Sequence, residues 1–291
     1  MSDSSPVTTK TCHTVPFLKW PGGKRWISPL LSTVLAQELK NQYREPFLGA
    51  GAVFLKLQPS SAYLSDSNRE LVHFFNVITV WPEEVVRRVW RWTNTRECYD
   101  NVRNSQPRSD IGRAARFLYL NRTCWGGVYR TNRQGEFNVP FGNSGRGLCS
   151  LAHVTSISEV FERAIIEVRD FEDSVDETLN GDAIYADPPY TAKGEDNGFL
   201  RYNETIFQWT DQIRLAASLR RAKRRGVFVT CSGLHHPELF RLYPGWWALT
   251  VPRYSSVSRL TACRRSVREV LIFSRKPKAL PSEMLAELQR I

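Results

Sequence analysis

Asp187-Pro188-Pro189-Tyr190 sets an acid, two prolines and an aromatic ring directly after the apolar run Ala183–Ala186. The prolines stiffen the turn and remove two backbone donors, while the Pro188 carbonyl stays available as an acceptor. The Asp187 carboxylate adds a second acceptor. Two adjacent acceptors suit an –NH2 group with its two N–H donors, and Tyr190 offers a flat face for a planar ring. The set describes a clamp for an aromatic amine. The lone pair of such a nitrogen is delocalised into its ring. Acceptors on both N–H bonds draw the nitrogen toward tetrahedral geometry and aim its lone pair at an electrophile. No covalent enzyme intermediate is needed. The plainer reading is a strand-ending turn with a helix-capping aspartate.

Two further stretches carry residues suited to a ligand. In "EPFLGAGAVF", Gly49 and Gly51 allow close backbone approach and a tight turn into a helix, with Phe47 before them. Asp66 closes the next apolar run, where an acid can accept from ribose hydroxyls or an amino group. No GxxxxGK[ST] pattern occurs, so a nucleoside fits better than a phosphate. In "FLKWPGGK", Trp20 and Lys24 flank a Pro-Gly-Gly turn. The lysine could hold a carboxylate, and the indole could cover a ring or a sulfonium by cation–π attraction. Taken singly, they also fit a core tryptophan and a solvated lysine.

These residues need a scaffold. Residues 15–80 read as successive β–turn–α units. The rhythm returns with "AIIEVRDF", "DAIYAD" and "VFVTCS" as strands, and "TDQIRLAASLRRAKRRG" as a helix stopped by Gly226. The segments "GWWALTVPRYSS" and "VREVLIFSRK" form a terminal antiparallel pair. Between these halves, "EEVVRRVWRW" and "IGRAARFLYLNR" have helical periodicity. They lead into a long loop or hairpin rich in Gly, Arg, Asn and aromatics. The expected fold class is α/β, a mostly parallel sheet with a helical insert. Its parts are a flexible tail at 1–14, a discontinuous core at 15–80 and 166–280, an insert at 81–165, and a helical tail at 281–291. The marked turns at 47–51, 66 and 187–190 all fall at predicted strand ends, where open α/β sheets bind ligands. The basic run at 220–225 reads as a helix C-terminus, where cations suit the dipole.

The net charge of +11 and isoelectric point near 9.6 favour a polyanionic partner, most commonly nucleic acid. The six cysteines form no CxxC pair and no zinc spacing, so no metal is expected and a reducing cytoplasm fits them. No leader-like or membrane-spanning apolar run is present in the sequence, and no membrane partner is expected.

"FLKWPGGK", "EPFLGAGAVF", "LSDSNREL", "FLYLNRTCWGGVYRTNRQGEFNVPFG" and "YADPPY" together resemble, in that order, the Dam-type DNA adenine-N6 methyltransferases (D12 class, alpha group). The resemblance runs from about Phe17 to Lys276. It implies S-adenosyl-L-methionine as methyl donor and adenine in double-stranded DNA as acceptor. It also implies the methyltransferase fold, a seven-stranded mostly parallel sheet whose last strand is antiparallel, with an inserted target-recognition domain. Cofactor contacts carry over to Trp20, Lys24, Asp66 and Asp187, with Phe47, Gly49 and Gly51 lining the pocket and Asp170-Phe171 nearby. Asp187, Pro188 and Tyr190 carry over as the catalytic clamp. The base would be flipped out of the duplex. On the DNA side, the resemblance assigns Trp125 to the gap left by the base, and Lys19 and Arg130 to guanines. It sets Pro140 and Val128 against bases, with Asn132 in the same loop. Arg113, Arg116, Arg122 and Arg133 fit phosphates better. The family's usual target, GATC, is the expected one. Gly126 stands where relatives often carry a polar side chain. "FVTCS" stands where relatives often have "SN", a departure expected to leave the chemistry intact. The resemblance also suggests a monomer, with or without a cognate restriction enzyme. Two alternatives remain: an RNA or protein amide as acceptor, and a DNA-binding protein without catalysis.

Overall fold

A computed structural model describes residues 15–132, 134–142, 149–191, 207–254 and 266–291. Arg133 therefore lies outside the described residues. The strands are β1 (Tyr43–Glu45), β2 (Ala62–Asp66), β3 (Ala164–Val168), β4 (Ala183–Ala186), β5 (Phe228–Leu234), β6 (Trp247–Tyr254), β7 (Ser266–Phe273) and β8 (Gln289–Arg290). They form one sheet in the order β3-β2-β1-β4-β5-β7-β6-β8. The first five are parallel neighbours, and β7 runs antiparallel between β5 and β6. This is the expected mixed sheet with an antiparallel final pair. The sheet has eight strands because two C-terminal residues add β8 beside β6. The expected helical tail is accordingly divided between a short helix (Ser282–Ala286) and that strand.

The central strands are apolar on both sides because both faces are covered. Along β4, Ala183 and Tyr185 face one core while Ile184 and Ala186 face the other. The helices begin where sequence chemistry allows. The helix Arg69–Val80 starts at Asn68, whose side chain accepts from the Glu70 and Leu71 amides. The long helix Trp209–Arg224 opens with a capping box at Gln208 and Asp211. It closes beside Gly226, whose φ of +90° suits glycine.

Between β2 and β3 the described residues form five α-helices and a short 3-10 turn, and the longest helix, Asp110–Thr123, is capped by Ser109. Past that helix, a loop is drawn into a hairpin by bridges Cys124–Phe141 and Thr131–Phe137.

Strand order reverses between β1 and β4, so the segments leaving their carboxyl ends diverge and open a crevice. Glu45, Asp66 and Ala186 end β1, β2 and β4, which places the three marked turns side by side. Among the described residues, no helix is long and apolar enough to cross a membrane.

Candidate active site

Strand β4 delivers Asp187 to the edge of the crevice. The Lys24 ammonium lies 2.9 Å from its Oδ1. The Ser232 hydroxyl donates to the same oxygen at 2.6 Å. Asp187 Oδ2 has no partner among the described residues. One carboxylate oxygen is thus anchored twice while the other keeps its lone pairs. Lys24 is only 3% exposed. It also donates to the Gly22 carbonyl at 2.7 Å, sits 3.8 Å from Glu269 Oε2, and lies 4.8 Å from the Tyr190 ring centre. The Tyr190 hydroxyl donates to Glu269 at 2.8 Å. Burial, then the charges of Asp187 and Glu269, push the Tyr190 phenol well above its ordinary pKa, so it stays protonated. The DPPY segment therefore stands on a built constellation rather than a bare turn.

Ser232 and Glu269 escaped the sequence reading. Ser232 could have been found from strand register. Ala186 pairs with Cys231, so the next residues along the parallel strands, Asp187 and Ser232, are neighbours. "FVTCS" thus places a hydroxyl on the Asp187 carboxylate. Ser232 also contacts the Tyr185 hydroxyl at 3.1 Å. The hint for Glu269 was an acid inside the apolar run "EVLIF".

The glycine turn after β1 is folded onto Asp66. One oxygen of Asp66 accepts from the Gly49 amide at 3.0 Å and the other from the Asn68 amide at 2.9 Å. Burial raises the Asp66 pKa, and these two amides pull it back. Gly49 adopts φ +49°, and a Cβ there would come within 3.0 Å of the Trp20 ring. Trp20 in turn stacks on Tyr129 at 6.3 Å. The close approach that glycine was expected to permit is to an indole. Phe47 stacks on Phe171 at 5.4 Å and meets Phe207 edge-on at 5.7 Å. Asp170 caps the helix Phe171–Asp176 and takes two donors of Arg214 at 3.0 and 3.2 Å, so its carboxylate is already engaged. This wall of glycine backbone, aromatic faces and a bonded acid fits a nucleoside better than a phosphate.

Beneath the turn, Glu45 is 2% exposed and accepts from the Tyr43 hydroxyl at 2.8 Å. Burial pushes its carboxyl up to about 8; the Tyr43 hydrogen bond opposes this, and the charges of Asp187 and Asp66 add to it. An acid held protonated by folding contributes stability below its unfolded pKa, and loses it as pH rises through the folded value. The expected result is stability falling between pH 5 and pH 8 by on the order of 2–4 kcal/mol more than in Glu45→Gln. Urea denaturation of both proteins at the two pH values measures this. Parallel slopes would remove Glu45 as the cause.

The DNA-side residues divide into two groups. Trp125 is 53% exposed, and Arg130 and Pro140 are also exposed on the hairpin loop. The loop is closed by Trp125 N–H to the Pro140 carbonyl at 2.9 Å, and by Asn138 N–H to the Arg130 carbonyl at 3.1 Å. The Arg130 guanidinium rests on Asn138 at 2.9 Å. Asn132 accepts from the Gln134 and Glu136 amides and tightens the turn, while Val128 is half-buried. The second group is engaged within the protein itself. Lys19 Nζ donates to the Arg122 carbonyl at 3.0 Å, and Arg122 donates to the Phe17 carbonyl at 2.9 Å. Arg116 donates to the Val102 carbonyl at 3.0 Å and to that of Arg103. Arg113 pairs with Glu70 at 2.7 Å. Among the described residues, no group of three or more His, Cys, Asp or Glu could hold a metal ion.

Known proteins resemble this chain along most of its length. The chain is 31% identical over 268 residues to the Type II methyltransferase M1.LlaDCHI of Lactococcus lactis subsp. cremoris, covering 88% of this chain and 94% of that one. It is 31% identical over 262 residues to a DNA adenine methylase of Vibrio cholerae, with the same coverage. It is 33% identical over 240 residues to the DNA N-6-adenine-methyltransferase of Escherichia phage P1, covering 78% of this chain and 32% of that longer protein. The sequence profile of the D12 class N6 adenine-specific DNA methyltransferases matches residues 20–244. That span holds the glycine turn, the hairpin loop and the DPPY clamp, and the chain belongs to this family.

Proposed function

We propose that this protein transfers a methyl group from S-adenosyl-L-methionine to N6 of an adenine flipped out of double-stranded DNA. The observation that carries the reading is the half-anchored carboxylate of Asp187, with Oδ1 held by Lys24 and Ser232 and Oδ2 open. An adenine amine donating to Oδ2 and to the Pro188 carbonyl would have its lone pair drawn out of conjugation. Tyr190 would cover the base, with its ring held by Glu269. Trp20, Phe47, Gly49, Gly51, Asp66 and Phe171 form the wall suited to the cofactor's nucleoside. When bound, the cofactor would supply an electrophilic methyl on sulfur. The proton left on the product amine passes to solvent or to Asp187.

A paired adenine cannot reach this clamp, and extruding it costs a few kcal/mol. Trp125, exposed on its glycine-flanked loop, is suited to fill the gap. Arg130 on the same face suits a guanine edge. Lys19 suits the second guanine if it exchanges its carbonyl partner for a base. GATC remains the leading target, and the reaction would take place in the cytoplasm, with the protein acting as a monomer with or without a cognate restriction enzyme.

Single-molecule sequencing of plasmid DNA from methylation-deficient cells producing the protein tests this reading. N6-methyladenine at one short motif supports it. Unmodified DNA alongside methylated RNA or protein amide would overturn it. Arg130→Ala is expected to relax one position of that motif, at a cost of roughly 1–3 kcal/mol. An unchanged motif would remove Arg130 from base reading.

A further inference from the structure

Glu269 lies on β7, flanked across the sheet by Leu234 and Val251. Its side chain is 2% exposed. An ionised carboxylate in such a place is costly unless it is paired and hydrogen-bonded. Two of its partners belong to the clamp: the Tyr190 hydroxyl at 2.8 Å and the Lys24 ammonium at 3.8 Å. Glu269 is remote in sequence from the DPPY segment and from the Pro-Gly-Gly turn, yet it joins the two.

We infer that Glu269 is a positioning residue for methyl transfer, fixing the Tyr190 ring through its hydroxyl and sharing Lys24 with Asp187. The inference rests on reading DPPY as the amine clamp. A tyrosine ring attached only at its Cβ end can swing about two torsions, and a bond at the hydroxyl end removes that freedom. Precision of about 0.5 Å in such a face separates productive from unproductive geometry. The raised pKa of the phenol keeps the donor proton in place. Lys24 also stands between two carboxylates, so Asp187 does not carry the whole of its charge.

The test uses Tyr190→Phe, which keeps the ring and removes the hydroxyl, together with Glu269→Ala, Glu269→Gln and the double variant Tyr190→Phe/Glu269→Ala. Single-turnover methylation of a cognate duplex with radiolabelled S-adenosyl-L-methionine gives the rate of transfer, and titration gives both affinities. Tyr190→Phe and Glu269→Ala are each expected to slow transfer by roughly tenfold or more, with affinities within about twofold. The double variant should be no slower than the slower single, because both changes cut the same bond. Glu269→Gln, which retains an oxygen acceptor, should recover part of the loss. Multiplying effects, or a wild-type rate in Tyr190→Phe, would overturn the inference. Tyr190→Phe leaves Glu269 in place, so it decides the matter even if Glu269→Ala does not fold. Asp187→Ala separates the two levels. Transfer surviving in it would sink the clamp reading itself. Transfer lost in it but intact in Tyr190→Phe would sink only the role of Glu269.

Discussion

Asp187→Ala is expected to slow methyl transfer by roughly 10³-fold or more while duplex affinity stays within about twofold. The substitution removes the open Oδ2 acceptor and the oxygen held by Lys24 and Ser232. A preorganised hydrogen-bonding group aimed at the reacting atom is worth about 3–4 kcal/mol by itself. Here the same carboxylate also orients Lys24. Duplex affinity should survive because the exposed loop residues Trp125, Arg130 and Pro140 belong to a different part of the chain. Single-turnover methylation and duplex titration on one preparation check both halves. Affinity falling in parallel with rate would shift Asp187 from chemistry to architecture. A wild-type rate would discard the clamp.

Lys24→Met is expected to be the most damaging single change to the fold and the chemistry together. Methionine keeps the length and apolar stem but removes the charge between Asp187 Oδ1 and Glu269 Oε2. Breaking a buried pair from one side costs about 3–5 kcal/mol, because the partner charge stays behind. Glu269 is 2% exposed and has little water to turn to, whereas Asp187 at 19% has some, so the lower end of that range applies. For a chain of this size, that corresponds to a melting temperature lower by roughly 10 °C. Methylation should be lost even at temperatures where the variant remains folded. Thermal melts and calorimetric titration with S-adenosyl-L-methionine measure the two effects. A melting temperature within a degree or two of wild type would show that the carboxylates find other partners.

Much of this was visible in the residues. The β–α rhythm, the antiparallel final pair and the placing of turns at strand ends follow from apolar periodicity and glycine punctuation. The DPPY segment stood out because acid, proline and aromatic fall within four consecutive positions. What escaped was pairing across the sheet. Ser232 and Glu269 reach the clamp through strand register, which no local pattern encodes. The arginines of the helical segment show the same limit. Arg116 and Arg122 donate to backbone carbonyls of their own chain, contacts that no local pattern announces. Charge composition counts cations and does not say which are already bound. Asp170 was selected as a possible cofactor contact from its position, and an arginine far along the chain, Arg214, now engages it.

Lys24 stands near one end of the sequence and Glu269 near the other, and β7 inserts between β5 and β6 after both have been made. A chain emerging from the ribosome therefore holds the glycine turn, the hairpin loop and DPPY long before it holds the acid that fixes Tyr190. Contacts of such long sequence separation form late. A nascent or truncated chain could touch DNA through its basic segment, yet full activity waits until β7 threads into the sheet. Synthesis thus carries its own delay, set by how late β7 is made.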